Sequence, residues 1–472
     1  MGAARGPEQT VQCDTIRGVS NWPGEAMNTP TTSHAGASAC DVLVIGGGPA
    51  GATAAALLAE RGYRVTLFEK AHHPRFHIGE SLLPANLPLF EKLGVASAVK
   101  AIGMEKWGAE FVSPWHDHKQ SFEFADAMDK SMPMAYHVRR AELDEILIRN
   151  ASRKNARVVE GCQIRDVDFL RGNAGAMAQA RHDDGRMETV HARFVLDASG
   201  RDTFLGNRLK AKRRNKKHNS SAIYAHFSGA ERNPGKAAGD ITIYWFEHGW
   251  FWFIPLSGGT ASVGAVTWPY YLKTRNKKSL EQFFQETIAL CAPLRERLKH
   301  AQPVSPVDAT GNYSYVCDRT HGSNYLLLGD AYTFIDPVFS SGVMLAMHSA
   351  FVGADTVDIC LRQPQRAAAA LKKFDDTMRL GPKAFSWFIY RVTNPTMRDM
   401  FMQPRNIFRV KEALLSVLAG DVFGKTPIHR PLLLFKGLYY ATSLLNFRRT
   451  LTAWRTRKRN IRVVDEIGGA IN

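Results

Sequence analysis

Asp41-Val-Leu-Val-Ile45-Gly46-Gly47-Gly48-Pro49-Ala50-Gly51 decides the fold. The first five residues are a short apolar, β-rich run closed by glycine, the signature of a buried parallel strand. Gly46, Gly48 and Gly51 then satisfy GxGxxG. Gly46 permits the tight turn, Gly48 lets the backbone approach a pyrophosphate, and Gly51 lets helix and strand pack closely. Residues 50–61 are rich in Ala and Leu and predict a helix that Gly62 stops. Its first turn, with Ala50, offers free amides to phosphate. Residues 63–69 form a second strand, and Glu69 at its end, 18 residues after Gly51, can bond ribose hydroxyls. Strand, glycines, helix, strand and acid fall in the order of a dinucleotide-binding βαβ unit.

Outward from this unit, short strands alternate with turns at 134–138, 157–161, 188–197, 222–229, 241–246, 250–256 and 261–266, which predicts a mixed sheet. Residues 326–330 read as another buried strand and 341–361 as a helix. From about 368 the pattern is helical and aromatic, with Phe385, Trp387, Phe388, Tyr390, Phe401 and Phe408. The expected division is a disordered leader over 1–38, a core over 39–367, a helical lobe over 368–445 and a basic amphipathic tail over 446–472. Met27 stands as an alternative start.

Of the 472 residues, 45% are hydrophobic and 22% charged, which excludes a wholly disordered chain. Lys and Arg exceed Asp and Glu by 61 − 44 = 17, so the surface attracts anions. The six cysteines form no CxxC and no zinc pattern, and they read as reduced, mostly buried thiols of a cytoplasmic protein. No signal-peptide h-region and no uninterrupted apolar run of membrane-spanning length is present. His72, His73 and His77, and the pair His116 and His118, read as polar loop histidines, so no metal site is expected. Lys210 to His218 reads as a solvated basic loop.

Two further segments favour FAD over NAD: Leu196-Asp197-Ala198-Ser199-Gly200 and Leu328-Gly329-Asp330-Ala331, each at a strand end. With them the chain resembles the flavoprotein monooxygenases, which implies a glutathione-reductase-type FAD-binding domain of Rossmann-like α/β architecture with a mixed-sheet substrate domain and a helical C-terminal lobe. The resemblance places the Asp330 carboxylate near the ribityl chain and Arg140 near the flavin. Ile78-Gly79-Glu80-Ser81, Trp250-Phe-Trp252-Phe-Ile254-Pro255 and Asp336-Pro337-Val-Phe-Ser340-Ser341-Gly342-Val343 narrow it to the flavin-dependent halogenases, over about 41–425. Gly420 to Lys425 resembles the members acting on phenols or on pyrroles held by a carrier protein. The resemblance implies that Gly79, Glu80, Pro337 and Val343 border the flavin, and that a halide, chloride or bromide, rests on Ser341 and Gly342. A helix start with free amides suits a small anion.

Trp250 and Trp252 share strand parity, so their indoles face one side and can wall the flavin off from the aromatic substrate. Lys106, in Met104-Glu-Lys106-Trp107-Gly108-Ala109, matches the family's catalytic lysine. An ammonium there can hydrogen-bond hypohalous acid, or the amine can be N-halogenated and carry the halogen. The implied partners are a separate flavin reductase supplying FADH2 and an electron-rich aromatic, free or on an acidic carrier protein. A flavin monooxygenase or flavin-dependent reductase on the same fold is the alternative, and a non-catalytic FAD-binding membrane-associated protein is the second. The tail, with Arg448, Arg449, Arg455, Arg457, Lys458, Arg459 and Arg462 among Leu451 and Trp454, reads either as a plain solvated basic face or as a surface for an anionic partner: an acidic carrier protein or, peripherally, the inner membrane, with nucleic acid the weaker fit. Lying past the resemblance, it is expected not to affect turnover.

Overall fold

Val42, Leu43 and Val44 are completely buried, as a strand covered on both faces requires. In the computed structural model, which describes residues 38–215, 218–311 and 314–462 (461 and 462 by backbone alone), Ser38–Ile45 is the middle of a parallel array. Across the sheet the parallel strands run Tyr325–Leu327, Met187–Asp197, Ser38–Ile45, Val65–Phe68 and Arg157–Val159. An antiparallel hairpin, Cys162–Phe169 with Ala176–His182, extends it. Helix Pro49–Glu60 crosses between the first two strands and packs against Gly342–Arg362 and Arg140–Arg153.

Two of the opening glycines are sterically obligatory. Gly46 has φ +101°, and a Cβ there would stand 2.5 Å from the Ala198 carbonyl oxygen. At Gly51 a Cβ would stand 1.9 Å from the Gly46 oxygen. The second strand ends at Phe68, so Glu69 lies just beyond it.

The mixed sheet is built around Gly249–Pro255, antiparallel to Ile241–Phe246 on one side and Thr260–Thr267 on the other. Its two faces have different neighbours. Phe251 and Phe253 pack with Phe283, Phe284 and Leu294 of two covering helices, whereas Trp250, Trp252 and Ile254 join a core with Val338, Phe339, Met344 and the lobe's Phe385, Phe388 and Phe401. Strands Gly108–Val112 and Lys119–Glu123, which no alternation announced, complete one edge.

The C-terminal lobe is helical as expected, beginning with Ala367–Ile389 and including Pro395–Met402, Val410–Leu418 and His429–Leu445. Two expectations require correction. The supposed solvated loop is partly a strand, Lys212–Arg214, paired with Tyr315–Cys317, and His218 is buried; Lys216 and Lys217 lie outside the described residues, as do the leader with Cys13 and Met27. The basic tail is a helix, Phe447–Arg462, but it is docked. Arg449 pairs with Asp399 at 2.6 Å, Asn460 is buried, and Arg457 lies against Trp268 and Tyr390. One described helix, Gly342–Arg362, is long and apolar enough to cross a membrane, yet it lies in the core against Pro49–Glu60.

Candidate active site

The dinucleotide turn lies at the carboxyl ends of the parallel strands. Glu69 is buried and turns its carboxylate back, accepting the Gly47 amide at 2.6 Å and the Ala71 amide at 3.0 Å. Above Gly48 the space is open: a Cβ would meet only Arg75 Nη2, at 3.8 Å. Arg75, which no sequence signal marked, thus brings a guanidinium over the open space at Gly48 while leaning on Asp144 at 3.4 Å. The Asp197 segment supports this turn, because Ala198 donates to the Ile45 carbonyl. Asp330 is half-buried, and desolvation raises its carboxyl to about 7 against the pull of Arg140 and Arg201. Arg140 is buried, clamps Asp144 through two bonds of 2.9 and 3.0 Å, and donates to the Ile78 carbonyl at 3.0 Å. It thereby holds the loop carrying Gly79, whose φ is +106°.

Glu80 is buried, its Oε1 lies 2.6 Å from His226 Nε2, and its Oε2 has no hydrogen-bond partner among the described residues. An open glycine cradle, a guanidinium over it and an orphaned buried carboxylate oxygen fit FAD, whose diphosphate and polar ring edge would supply the missing partners. Asp330, Pro337, Ser341 and Gly342 line one cavity with Phe334 and His348. Val343 is buried directly behind the turn.

Lys106 is reached through two strand pairings. Met104–Lys106 pairs with Ala135–His137, and Ser81 bridges to His137 from the other side. This brings the Lys106 ammonium within 3.0 Å of Ser81 Oγ and 3.1 Å of the Leu82 carbonyl, which accept from it. Asp240 fixes the next turn of chain by accepting the Trp107 and Gly108 amides. Lys106 is only 2% exposed, and burial pulls its pKa down to about 7. Neighbouring His137, fully buried, is held well below its ordinary range by desolvation and by the Lys106 charge.

Ser81 also accepts from Ser340 Oγ at 2.9 Å. The Ser340–Ser341–Gly342 turn and Lys106 are therefore joined through a single serine. No local sequence pattern marks Ser81 for this role; its adjacency to Glu80 is the available signal. Trp250 and Trp252 are together, ring centroids 6.1 Å apart. Trp252 donates to Ser262 Oγ at 3.1 Å and lies over Gly264, where a Cβ would stand 2.2 Å from the indole. The histidines are engaged elsewhere, His73 with Glu160 and His116 with Ser113, and no metal-holding cluster occurs among the described residues.

Fold and cleft define an FAD-binding protein, and a family model described as FAD binding domain matches residues 39–361. Tryptophan 2-halogenase of Chondromyces crocatus is 36% identical over 332 residues, 68% of this chain, which spans 61% of that relative's length. The 1H-pyrrole-2-carbonyl-(peptidyl-carrier protein) chlorinase of Pseudomonas fluorescens is 32% identical over 409 residues, 81% of this chain and 89% of its own length. The solved myxobacterial chondrochloren halogenase, an FAD-dependent halogenase, superposes with a TM-score of 0.72 at 32% identity, covering 83% of this chain and 92% of that one. The chain belongs to the flavin-dependent halogenases of this FAD-binding family.

Proposed function

We propose that this chain halogenates an electron-rich aromatic ring, a phenol or a pyrrole, free or tethered to an acidic carrier protein, in the cytoplasm. The observation that carries the reading is the Ser340–Ser81–Lys106 chain of hydrogen bonds, which links an anion-binding turn to a desolvated amine. FAD, reduced by a separate flavin reductase, supplies with O2 the two-electron oxidation of halide to hypohalous acid. Gly46, Gly48, Ala50, Gly51 and Arg75 hold its diphosphate, Glu69 its ribose and Asp330 its ribityl hydroxyls, while Gly79, Glu80, Arg140, Pro337 and Val343 border the ring. Ser341 and Gly342 hold the halide on their amides.

Trp250 and Trp252 keep the organic substrate off the flavin, so that only the small oxidant passes. Lys106 receives it. As ammonium it donates to the oxygen of hypohalous acid. As amine it forms an N–halogen bond with loss of water, and the ring carbon then takes the halogen, the N–halogen pair returning to nitrogen and the ring proton leaving to solvent. A pKa of about 7 makes both forms accessible at neutral pH.

The burial of Trp250 and Trp252, 4% and 6% exposed, favours one second reading. In a monooxygenase or reductase this strand would be plain core. Mass spectrometry of an aromatic panel, free and carrier-bound, with chloride or bromide and added reductase decides between them. Halogenated product requiring the reductase supports the proposal. Direct NAD(P)H consumption with hydroxylated or reduced product overturns it.

A further inference from the structure

The turn over residues 336–342 carries an energetic cost. Ser340 adopts φ +56°, a left-handed conformation that is strained for a non-glycine residue. Such a turn persists only where its surroundings hold it at both ends. One end is tied by Ser340 to Ser81. The other end is Asp336, 1% exposed, whose Oδ1 accepts the Val338 amide. Its Oδ2 accepts the Ser220 hydroxyl at 2.8 Å and stands 2.9 Å from His218 Nε2. The far nitrogen of that histidine, Nδ1, stands 3.4 Å from Arg457 Nη2. A guanidinium only donates, so His218 Nδ1 is the acceptor and the ring proton sits on Nε2, aimed at Asp336. Arg457 itself is seated between Trp268 and Tyr390, 5.8 Å from each ring, and the Tyr390 hydroxyl accepts from Asn215.

We propose that Arg457 is a positioning residue for the halide turn, acting through His218 on Asp336. The C-terminal helix is thereby part of the reaction centre's support, although it lies outside the segments that resemble the halogenases. By fixing the His218 tautomer, the guanidinium keeps a donor on Asp336, and Asp336 keeps the turn's amides facing one anion position. Loss of the guanidinium frees His218 to flip or swap tautomers, and the turn relaxes from its left-handed strain.

The inference rests on the reading of Ser341 and Gly342 as the halide site, so the test separates the two. With full-length protein, FAD and added reductase, hypohalite formation is titrated against chloride and bromide. Arg457→Met should raise the halide KM about fivefold, the worth of one charge-assisted hydrogen bond, with FAD affinity and kcat at saturating halide retained. Arg457→Lys, which keeps a donor, should recover most of that loss. His218→Leu, which removes both ring nitrogens, should reproduce it with the C-terminal helix unaltered in sequence. Gly342→Val is the control for the site: the residue is exposed, nothing lies within 4 Å of a Cβ there, and the added methyls would occupy the anion position. If Gly342→Val raises the halide KM and neither Arg457→Met nor His218→Leu does, the positioning role is refuted. If Gly342→Val leaves the halide KM unchanged, the halide reading of the turn falls instead.

Discussion

Lys106 shows how much one buried residue can set. Its ammonium is removed from water and compensated by two hydrogen bonds and a distant Asp240, so its proton is lost near pH 7 instead of above 10. Because the folded pKa is depressed, burial of the charge costs stability fully below pH 7, and the cost fades as pH rises toward the unfolded value of 10.5. Lys106→Met should therefore raise Tm, with the gain shrinking between pH 7 and 10, as differential scanning fluorimetry across pH would record. The same variant should leave flavin reoxidation and hypohalite release intact while halogenated product falls about 100-fold or more. Product formation near the wild-type rate would remove Lys106 from the mechanism. Gly48→Val places a branched side chain against the diphosphate position and should abolish FAD binding, read by flavin fluorescence. Wild-type affinity in that variant would defeat the cradle.

At the scale of elements, the strand Gly249–Pro255 divides two cores because its parity sends indoles to one face and phenyls to the other. The indole of Trp252 lies over Gly264 on the neighbouring strand, directly opposite in register. Gly264→Val should push the ring out of place and destabilise the protein by about 1–3 kcal/mol, the usual cost of overpacking. If the indoles also wall off the flavin, a substrate panel with that variant should yield halogenation at more than one ring position. A single regioisomer with lowered Tm would confine the pair to a packing role. The periodicity of this strand was readable directly, whereas that of Gly108–Val112, which pairs with the adjacent strand Ile241–Phe246, was not. That strand is short and pairs with a segment more than 130 residues away in sequence, and such long-range pairing leaves no local pattern.

For the whole molecule, the C-terminal helix reverses one expectation and sharpens another. Its inner side reaches Asp399, Trp268 and His218, so deleting residues 446–472 should impair halide use, contrary to the view of a dispensable tail. Its outer side, continuing from the preceding helix, exposes Leu444, Leu445, Phe447, Leu451 and Trp454 among basic residues. A double variant, Leu451→Ser with Trp454→Ser, should weaken salt-sensitive binding to an acidic carrier protein or to anionic liposomes and leave turnover of a small free substrate unchanged. Pull-down and co-sedimentation at low and high salt distinguish the two partners. Equal binding by variant and wild type would make this face an ordinary solvated one.

Local chemistry alone determined the strand–turn–helix–strand unit, because glycine spacing and strand hydrophobicity are short-range signals, whereas Glu69 falls one residue past its strand and accepts the Gly47 and Ala71 amides. The halogenase segments were likewise readable, because each is contiguous. What only the tertiary structure decided are the links between segments. Ser81 meets Ser340 across 259 residues while also accepting from Lys106, Arg75 comes to lie over Gly48, and Arg457 reaches Asp336 through a histidine assigned to a solvated loop. The physical reason is that a hydrogen bond between distant residues is set by how sheets and helices pack, and neither composition nor periodicity near either partner records it.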